Sequence, residues 1–258
     1  LIVFNHPAPY KVRLFNELAK TNDLEVIFER TKAKDRPDSF YNCNEYNFKH
    51  TFYKHGYFSN EQSNTGKLRR YLKAHHSEYD LIIMNGYSTL TEMRGINYLR
   101  KKKIPFVLFI NGGIVAENES KFKKNIKTKY ISSASWYFSP CEEADDYLKY
   151  YGANKDAIYH YPYSTFYESE LLKDVLSEEE KNSIRKKWNI PNTKIFLSAG
   201  QFIDRKNNEQ LIKLFKNRND KLILIGEGPL KEKYEKILED EKITNVEIRP
   251  FLKKNDLF

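Results

Sequence analysis

Two cations follow a glycine turn in the second half of the chain, within the run SAGQFIDRKN at 198–207. A strand-like pattern ends at Ala199, Gly200 turns the chain, and Gln201 follows the turn. Arg205 and Lys206 then stand where a helical pattern begins. Backbone N–H groups at a helix start attract anions, and a guanidinium beside an ammonium suits the phosphates of a diphosphate. A solvated surface pair is the alternative, but the place after a strand and a turn favours an anion site.

A second glycine turn, LIGEGPL at 224–230, also follows a strand-like run. Gly226 and Gly228 allow the backbone to present its N–H groups, and Glu227 lies between them. Pro229 is expected to open the next helix in its first turn, where no N–H donor is needed. We predict that this turn faces the same ligand as the first.

The loop after the first strand-like run, NHPAPYK at 5–11, lacks the GxGxxG pattern of a dinucleotide site. Its prolines make it stiff, and it carries polar side chains. Ligands bind at the carboxyl ends of strands in open parallel sheets. His6 therefore either lines a ligand cleft, together with Pro9 and Tyr10, or caps the surface.

A similar position is held by FINGG at 109–113, where a polar side chain and a double glycine follow an apolar run. Gly112 and Gly113 permit backbone angles that other residues avoid, and Asn111 adds a polar group. A simple turn is the alternative interpretation. If the loop is functional, these residues face the same cleft as His6.

The basic segment KFKKNIKTKY at 121–130 is helical in pattern. Lys121, Lys124 and Lys127, or Lys123 and Lys127, can share one face of this helix, with Phe122, Ile126 and Tyr130 on another. The segment is either an ordinary amphipathic helix, which we favour slightly, or a surface that rests on an anionic membrane.

These motifs lie on an alternation of short apolar runs and helical patterns that fills most of the 258 residues. Nearly continuous apolar runs are typical of parallel strands covered on both faces. We therefore predict an α/β protein with two Rossmann-like, doubly wound domains, the second of them incomplete. Strands are expected at 1–4, 24–28, 80–84, 105–110, 135–139, 157–161, 194–199, 221–226 and 246–249. Helices are expected at 11–20, 66–76, 88–102, 141–151, 178–188, 206–217 and 229–241.

Prolines and a charged helix interrupt the alternation in the middle of the chain. We predict a first domain at 1–160, a connector at 161–193 and the start of a second domain at 194–258. The chain begins inside an apolar run and ends after a polar turn, so we expect it to be a window of a longer protein.

Composition narrows the class of protein. The net charge is +9, and an excess of seven positive charges lies in residues 1–160, which favours an anionic partner. The longest apolar run is far shorter than the roughly 20 residues that a bilayer crossing needs. Two isolated cysteines, Cys43 and Cys141, fit a reducing, cytoplasmic compartment.

Taken together, the runs SAGQFIDRKNNEQLIKLF, KLILIGEGPLKEKYEKI and NVEIRPF resemble the nucleotide-binding half of glycosyltransferase family 4. The front half is similar to the same family in HPAPYKVRLFNELAK, DLIIMNG, INGG and WYFSPCEEADDYLKYYGA. The resemblance is closest to bacterial members that build surface polysaccharides. It implies the two-domain GT-B architecture and retention of anomeric configuration.

The resemblance also implies roles for single residues. Lys206 matches the lysine that pairs with the donor diphosphate, with Arg205 beside it, and Gly226, Gly228 and Pro229 match the donor loop. The segment Ile248 to Phe251 falls where the family holds the nucleobase. Further donor contacts and the acceptor-side wall are expected at Gly200, Gln201, Glu227, His6, Pro9, Tyr10, Asn111, Gly112 and Gly113.

Three departures from the family stand out. Gln201 replaces a common arginine, so one diphosphate contact is missing. Asn111 replaces a histidine or aspartate, which weakens its assignment as a catalytic base. The two family glutamates that contact the donor would follow beyond Phe258, so we expect this chain alone to be nearly inactive.

The implied reaction moves a sugar from a nucleotide diphosphate to a hydroxyl of a glycan or lipid-linked acceptor. His6 and Asn111 are the candidate catalytic residues, and no metal or other cofactor is expected. Expected partners are the nucleotide sugar, the acceptor and, at the inner membrane face, anionic lipid. A nucleotide-sugar epimerase of the same architecture is the main alternative. A basic nucleic-acid-binding protein is a remote one, because no recognition motif for nucleic acid is visible.

Overall fold

The computed structural model describes residues 1–33, 36, 38–41, 45–53, 57–58, 66–161, 164–171 and 173–252, so Cys43 lies outside the described residues. The chain divides into two compact units, Leu1–Tyr167 and Glu168–Phe258. The division falls inside the segment predicted as a connector, and the charged helix of that segment belongs to the second unit.

The first unit is built on a parallel sheet with the strand order β4-β2-β1-β6-β7-β8-β9, and β3 pairs with β5 beside it. In chain order its strands are β1 Ile2–Phe4, β2 Glu25–Phe28, β3 Lys32–Ala33, β4 Lys49–Phe52, β5 Tyr57–Phe58, β6 Ile83–Asn85, β7 Val107–Phe109, β8 Trp136–Ser139 and β9 Ile158–His160. Because the strands of the main sheet are parallel, their carboxyl ends lie along one edge.

The helices of this unit connect the parallel strands. They are α1 Pro9–Leu18, α2 Lys67–His75, α3 Leu90–Lys102, α4 Lys121–Ile131 and α5 Glu142–Tyr150. The start of α3 is fixed by a capping box, in which the Thr89 side chain accepts from the Glu92 N–H and the Glu92 side chain accepts from the Thr89 N–H.

The second unit has a smaller parallel sheet, ordered β10-β11-β12. Its strands are β10 Ile195–Ala199, β11 Lys221–Ile225 and β12 Val246–Arg249, and its helices are α6 Glu178–Lys187, α7 Asn208–Phe215 and α8 Lys231–Asp240. Phe202, Ile212, Leu224 and Tyr234 are almost completely buried in its core.

All nine predicted strands form, and their apolar runs are the reason. Every residue of β1 and β2 is buried, as expected for strands covered on both faces. The short strands β3, β4 and β5 were not predicted. Lys49, His50 and Thr51 of the edge strand β4 are exposed, so this strand shows no apolar run.

Candidate functional site

The two glycine turns of the second unit are interlocked. Ala199 and Ile225 are register partners at the ends of β10 and β11, so the loops that follow them start side by side. The Gly200 N–H donates to the Ile225 carbonyl at 2.9 Å. The Phe202 N–H donates to the Glu227 carbonyl at 2.9 Å. Backbone hydrogen bonds therefore hold the two loops as one surface at the carboxyl edge of this sheet.

This packing leaves no space for side chains at two positions. A Cβ atom on Gly226 would lie 1.9 Å from the Gly200 carbonyl oxygen. A Cβ atom on Gly228 would lie 2.5 Å from the Phe202 carbonyl oxygen. These glycines are thus needed for the close approach of one loop to the other, and both were singled out from the sequence.

The structure places Arg205 and Lys206 beside this surface, in a short 3-10 turn at Asp204–Lys206. Both side chains are exposed, and among the described residues neither forms an ion pair. The Lys206 side chain folds back toward the first loop: its Nζ is 4.0 Å from the place of a Cβ on Gly200. Two cations without carboxylate partners thus lie next to a backbone-lined turn, which is a suitable place for an anion.

The prediction that the next helix starts at residue 206 was wrong. Asn207 takes a left-handed conformation with φ of 51°, and α7 starts only at Asn208. The cations therefore precede the helix by a turn and do not lie in its first residues.

The remaining donor candidates surround the same loops. Glu227 is half-buried, with one oxygen 3.5 Å from the Lys231 ammonium. Pro229 lies in the turn before α8 and not in the first turn of the helix, which corrects the prediction. The N–H of the next residue, Leu230, donates to the Phe202 carbonyl. Gln201 is half-buried in the first loop, and Phe251 follows β12 with its ring 37% exposed.

In the first unit, the β1 and β7 loops meet at a cavity of about 340 Å³. The described lining residues include no lysine, arginine, aspartate or glutamate, and several of them are polar. They are Phe4, Asn5, His6, Ala8, Tyr10, Asn111 and Thr165. The structure thus brings together three residues that the sequence analysis named, and Pro9 begins α1 next to them.

His6 is fixed on two sides. Its backbone N–H donates to the Asn5 side-chain oxygen at 2.8 Å. Its Nδ1 lies 3.1 Å from the Tyr41 hydroxyl, and that hydroxyl accepts a hydrogen bond of 2.9 Å from the Ala33 N–H.

Asn111 is held by a buried neighbour that the sequence analysis missed. Its Nδ2 donates to the Asn85 side-chain oxygen at 3.1 Å, and Asn85 ends β6 between the two loops. Gly112 has φ of +129°, which favours glycine. A Cβ on Gly113 would come within 2.5 Å of the Tyr147 ring, so this glycine is required by packing.

Lys11 lies in the first turn of α1 and is 1% exposed. Its Nζ is 4.6 Å from the ring centroid of Phe109 and 5.1 Å from that of Tyr161. Burial lowers the pKa of the Lys11 ammonium to about 8. Nothing in the sequence distinguishes this lysine from the exposed ones, because the two rings that it contacts are far away along the chain.

The basic segment forms α4, but the predicted lysine face is divided. Lys127 pairs with Glu119 at 2.6 Å and donates to the Tyr151 hydroxyl, while Lys124 lies over the Tyr150 ring at 4.1 Å. Both lysines therefore pack toward α5 and are not part of an exposed face with Lys121.

The exposed residues of α4 include Lys123 and, on another side, a stripe of Lys121, Phe122, Asn125 and Lys129, which fall together on a helix with 3.6 residues per turn. The Phe122 ring is 74% exposed. We call this surface the α4 stripe.

Within the described part of the chain, no helix is long and apolar enough to cross a bilayer. The same residues contain no group of three or more histidine, cysteine, aspartate or glutamate side chains arranged to hold a metal ion.

Comparison with family models and with curated sequences gives one match. Residues 180–257, all in the second unit, match the family model of glycosyl transferases group 1. No curated protein sequence matches the chain.

Solved structures show the fold. The Anabaena protein HepE, crystallised with UDP and glucose, is 14% identical and superposes with a TM-score of 0.66 over 98% of this chain and 70% of its own. WaaG, a glycosyltransferase involved in lipopolysaccharide biosynthesis, is 13% identical, with a TM-score of 0.58 over 100% of this chain and 71% of its own. A UDP-GlcNAc 2-epimerase from Neisseria meningitidis, bound to UDP-GlcNAc, is 14% identical, with a TM-score of 0.57 over 98% of this chain and 72% of its own. The chain is thus an α/β protein of the GT-B class.

Proposed function

We propose that this protein is a glycosyltransferase that moves a sugar from a nucleotide diphosphate to a hydroxyl of a glycan or lipid-linked acceptor. The observation that carries the proposal is a pair of exposed cations, Arg205 and Lys206, beside two interlocked glycine loops; no carboxylate of the described residues pairs with either cation. The segment that holds them matches the group 1 family model. HepE and the epimerase, which share the fold, were crystallised with UDP or a UDP-sugar.

The chemistry needed from this surface is electrostatic. Departure of the nucleotide diphosphate leaves negative charge on its phosphate oxygens, and donors placed at that charge lower the barrier. We assign this task to Lys206 and Arg205, and to no metal ion. Glu227, Gly228, Pro229, Gln201 and Phe251 complete the proposed donor surface.

The first unit supplies the other reactant in this proposal. Its cavity is lined by neutral polar side chains, which suits a ligand with many hydroxyl groups. His6 and Asn111 are assigned to the reacting hydroxyls, with Pro9, Tyr10, Gly112 and Gly113 shaping the wall. Asn111 is an amide and takes up no proton, so its assigned role is to position a hydroxyl.

A lipid-linked acceptor would bring the protein to the inner membrane face, and the α4 stripe supports this part of the proposal. It combines an exposed aromatic ring with Lys121 and Lys129, the pairing that favours an anionic lipid surface. A role in cell-surface polysaccharide synthesis would follow from such an acceptor.

Nucleotide binding by the chain tests the donor site. We expect UDP and UDP-sugars to bind, and Lys206→Ala to weaken the affinity by about ten- to a hundredfold, because a hydrogen bond to a charged phosphate is lost. Lys236→Ala is the matched control, since this exposed lysine of α8 lies outside the loops. Equal affinities for both variants and the unchanged protein in calorimetric titration would remove Lys206 from the site.

Product analysis then separates the two activities that this fold is known to carry. The natural gene product is incubated with a UDP-sugar, with and without a mixture of glycan and lipid-linked acceptors. We expect UDP and a new glycoside only when an acceptor is present. An epimerised sugar formed without acceptor would establish the epimerase instead.

A further inference from the structure

Asn85 is a buried polar residue at the point where the order of the strands reverses. Strand β1 lies between β2 and β6, so the carboxyl ends of β1 and β6 flank the crevice where open parallel sheets bind ligands. Asn85 is the last residue of β6 and is 6% exposed. The chain turns directly after it at Gly86, which has φ of +82°. The Asn85 side chain therefore belongs to the edge of the sheet at which the cavity of the first unit lies.

The Asn85 amide contacts one side chain, and that side chain lines the cavity. Asn111 Nδ2 lies 3.1 Å from Asn85 Oδ1, and neither side chain forms another hydrogen bond with the described part of the chain. Asn111 is exposed beside His6 and Tyr10. An exposed asparagine can take several rotamers, so the hydrogen bond to a buried neighbour decides where its amide is held.

A second contact holds the other end of the same loop. Gly113 packs against the Tyr147 ring, and the Tyr147 hydroxyl lies 2.6 Å from the Tyr87 hydroxyl. Tyr87 lies two residues after Asn85, in the loop that follows β6. The carboxyl end of β6 thus supports the β7 loop at two points, and Asn85 is the one that contacts the side chain of Asn111.

We propose that Asn85 is a positioning residue that acts through Asn111: it holds the Asn111 amide where this amide can align the acceptor hydroxyl for transfer. A reacting hydroxyl must be held close to the atom that it attacks, and a misplacement of about 1 Å costs on the order of a hundredfold in rate. The functional half of this inference rests on the proposed function, whereas the contact between the two amides does not.

Transfer by the natural gene product tests this role. Asn85→Leu keeps the approximate size of the side chain and removes its amide, and water can replace the lost partner because Asn111 is exposed. We expect kcat/KM for the acceptor to fall by about ten- to a hundredfold, with the KM for the donor unchanged within about twofold. In protein that already carries Asn111→Leu, the change at Asn85 should cost less than about twofold, because the residue through which it acts is gone.

Asn97→Leu is the matched control. The Asn97 amide of α3 also donates to one side chain of the same unit, the Tyr130 hydroxyl at 3.1 Å, and Asn97 is not among the described residues that line the cavity. This variant should transfer like the unchanged protein. The proposal is overturned if the losses from Asn85→Leu and Asn111→Leu multiply in the double variant, or if Asn85→Leu raises the KM for the donor as much as that for the acceptor.

Proton NMR of the unchanged chain, with labelled asparagine, tests the contact without relying on activity or on the folding of Asn85→Leu. We expect nuclear Overhauser contacts between the side-chain amide protons of Asn111, identified by their loss in Asn111→Leu, and the Asn85 side chain. Absence of these contacts would refute the amide bridge. If the unchanged protein transfers no sugar, the proposed function fails while the NMR result for the two amides still stands.

Discussion

Gly226 and Gly200 show how single residues set the packing of the two glycine loops. In Gly226→Ala, the new methyl group would meet the Gly200 carbonyl oxygen at 1.9 Å, so the two loops must separate. We expect the free energy of unfolding of the second unit to fall by about 1–3 kcal/mol, the usual cost of overpacking, as measured by urea denaturation.

Gly200→Ala is the matched control. Its methyl group would meet only the flexible end of Lys206, at 3.6 Å from Cε, so near-native stability is expected. Equal stability of the two variants would show that the loops are not interlocked as described.

Single site residues can be predicted from the sequence where they belong to a local motif. They are missed where their role depends on contacts with distant parts of the chain. Arg205, Lys206 and Gly226 stand out because glycines and cations after an apolar run are visible in one short segment. Tyr41 and Asn85 are not, since each acts on a loop that lies elsewhere in the chain.

For strands and helices, the middle of each element can be predicted from the sequence, but its first and last residues cannot. The apolar runs of β10 and β11 place both strands, because burial on both faces demands such runs. The start of α7 was misplaced, since the left-handed Asn207 that delays it is a local conformation without an apolar signal.

The exposed aromatic ring of helix α4 is expected to contribute to membrane binding. Phe122→Ser is expected to weaken binding to vesicles that contain anionic phosphatidylglycerol by roughly tenfold, because an inserted aromatic ring is lost. The measurement is co-sedimentation with vesicles, compared with vesicles of neutral lipid.

Leu214→Ser provides the control, because Leu214 is 71% exposed and Phe122 is 74% exposed. The same loss of binding in both variants would mean that the α4 stripe has no special role, and no binding by the unchanged chain would contradict the membrane contact.

The whole molecule consists of two units with separate hydrophobic cores. We expect UDP to slow amide hydrogen exchange in the second unit, most strongly at 200–203 and 226–230, because a bound ligand stabilises the state that binds it. Exchange in Leu1–Tyr167 should stay unchanged when UDP alone is present. Mass spectrometry of the exchanging chain measures this, and slower exchange confined to the first unit would reverse the assignment of the donor site.

The alternation of strands and helices predicts this two-unit α/β organisation from sequence, because parallel strands need crossover helices. The extent of each unit is harder to predict. The segment at 161–193 has prolines and charges typical of a connector, yet α6 belongs to the second unit through long-range contacts such as that of the Arg249 side chain with the Trp188 carbonyl at 3.1 Å.

The close approach of the glycine loops also limits how the protein can diversify. Any homologue that keeps this loop packing must keep glycine at positions 226 and 228, because a larger residue would push the loops apart. If the loops bind the proposed donor, new donor preferences would arise at flanking positions such as Gln201 and Glu227, while the two glycines stay unchanged.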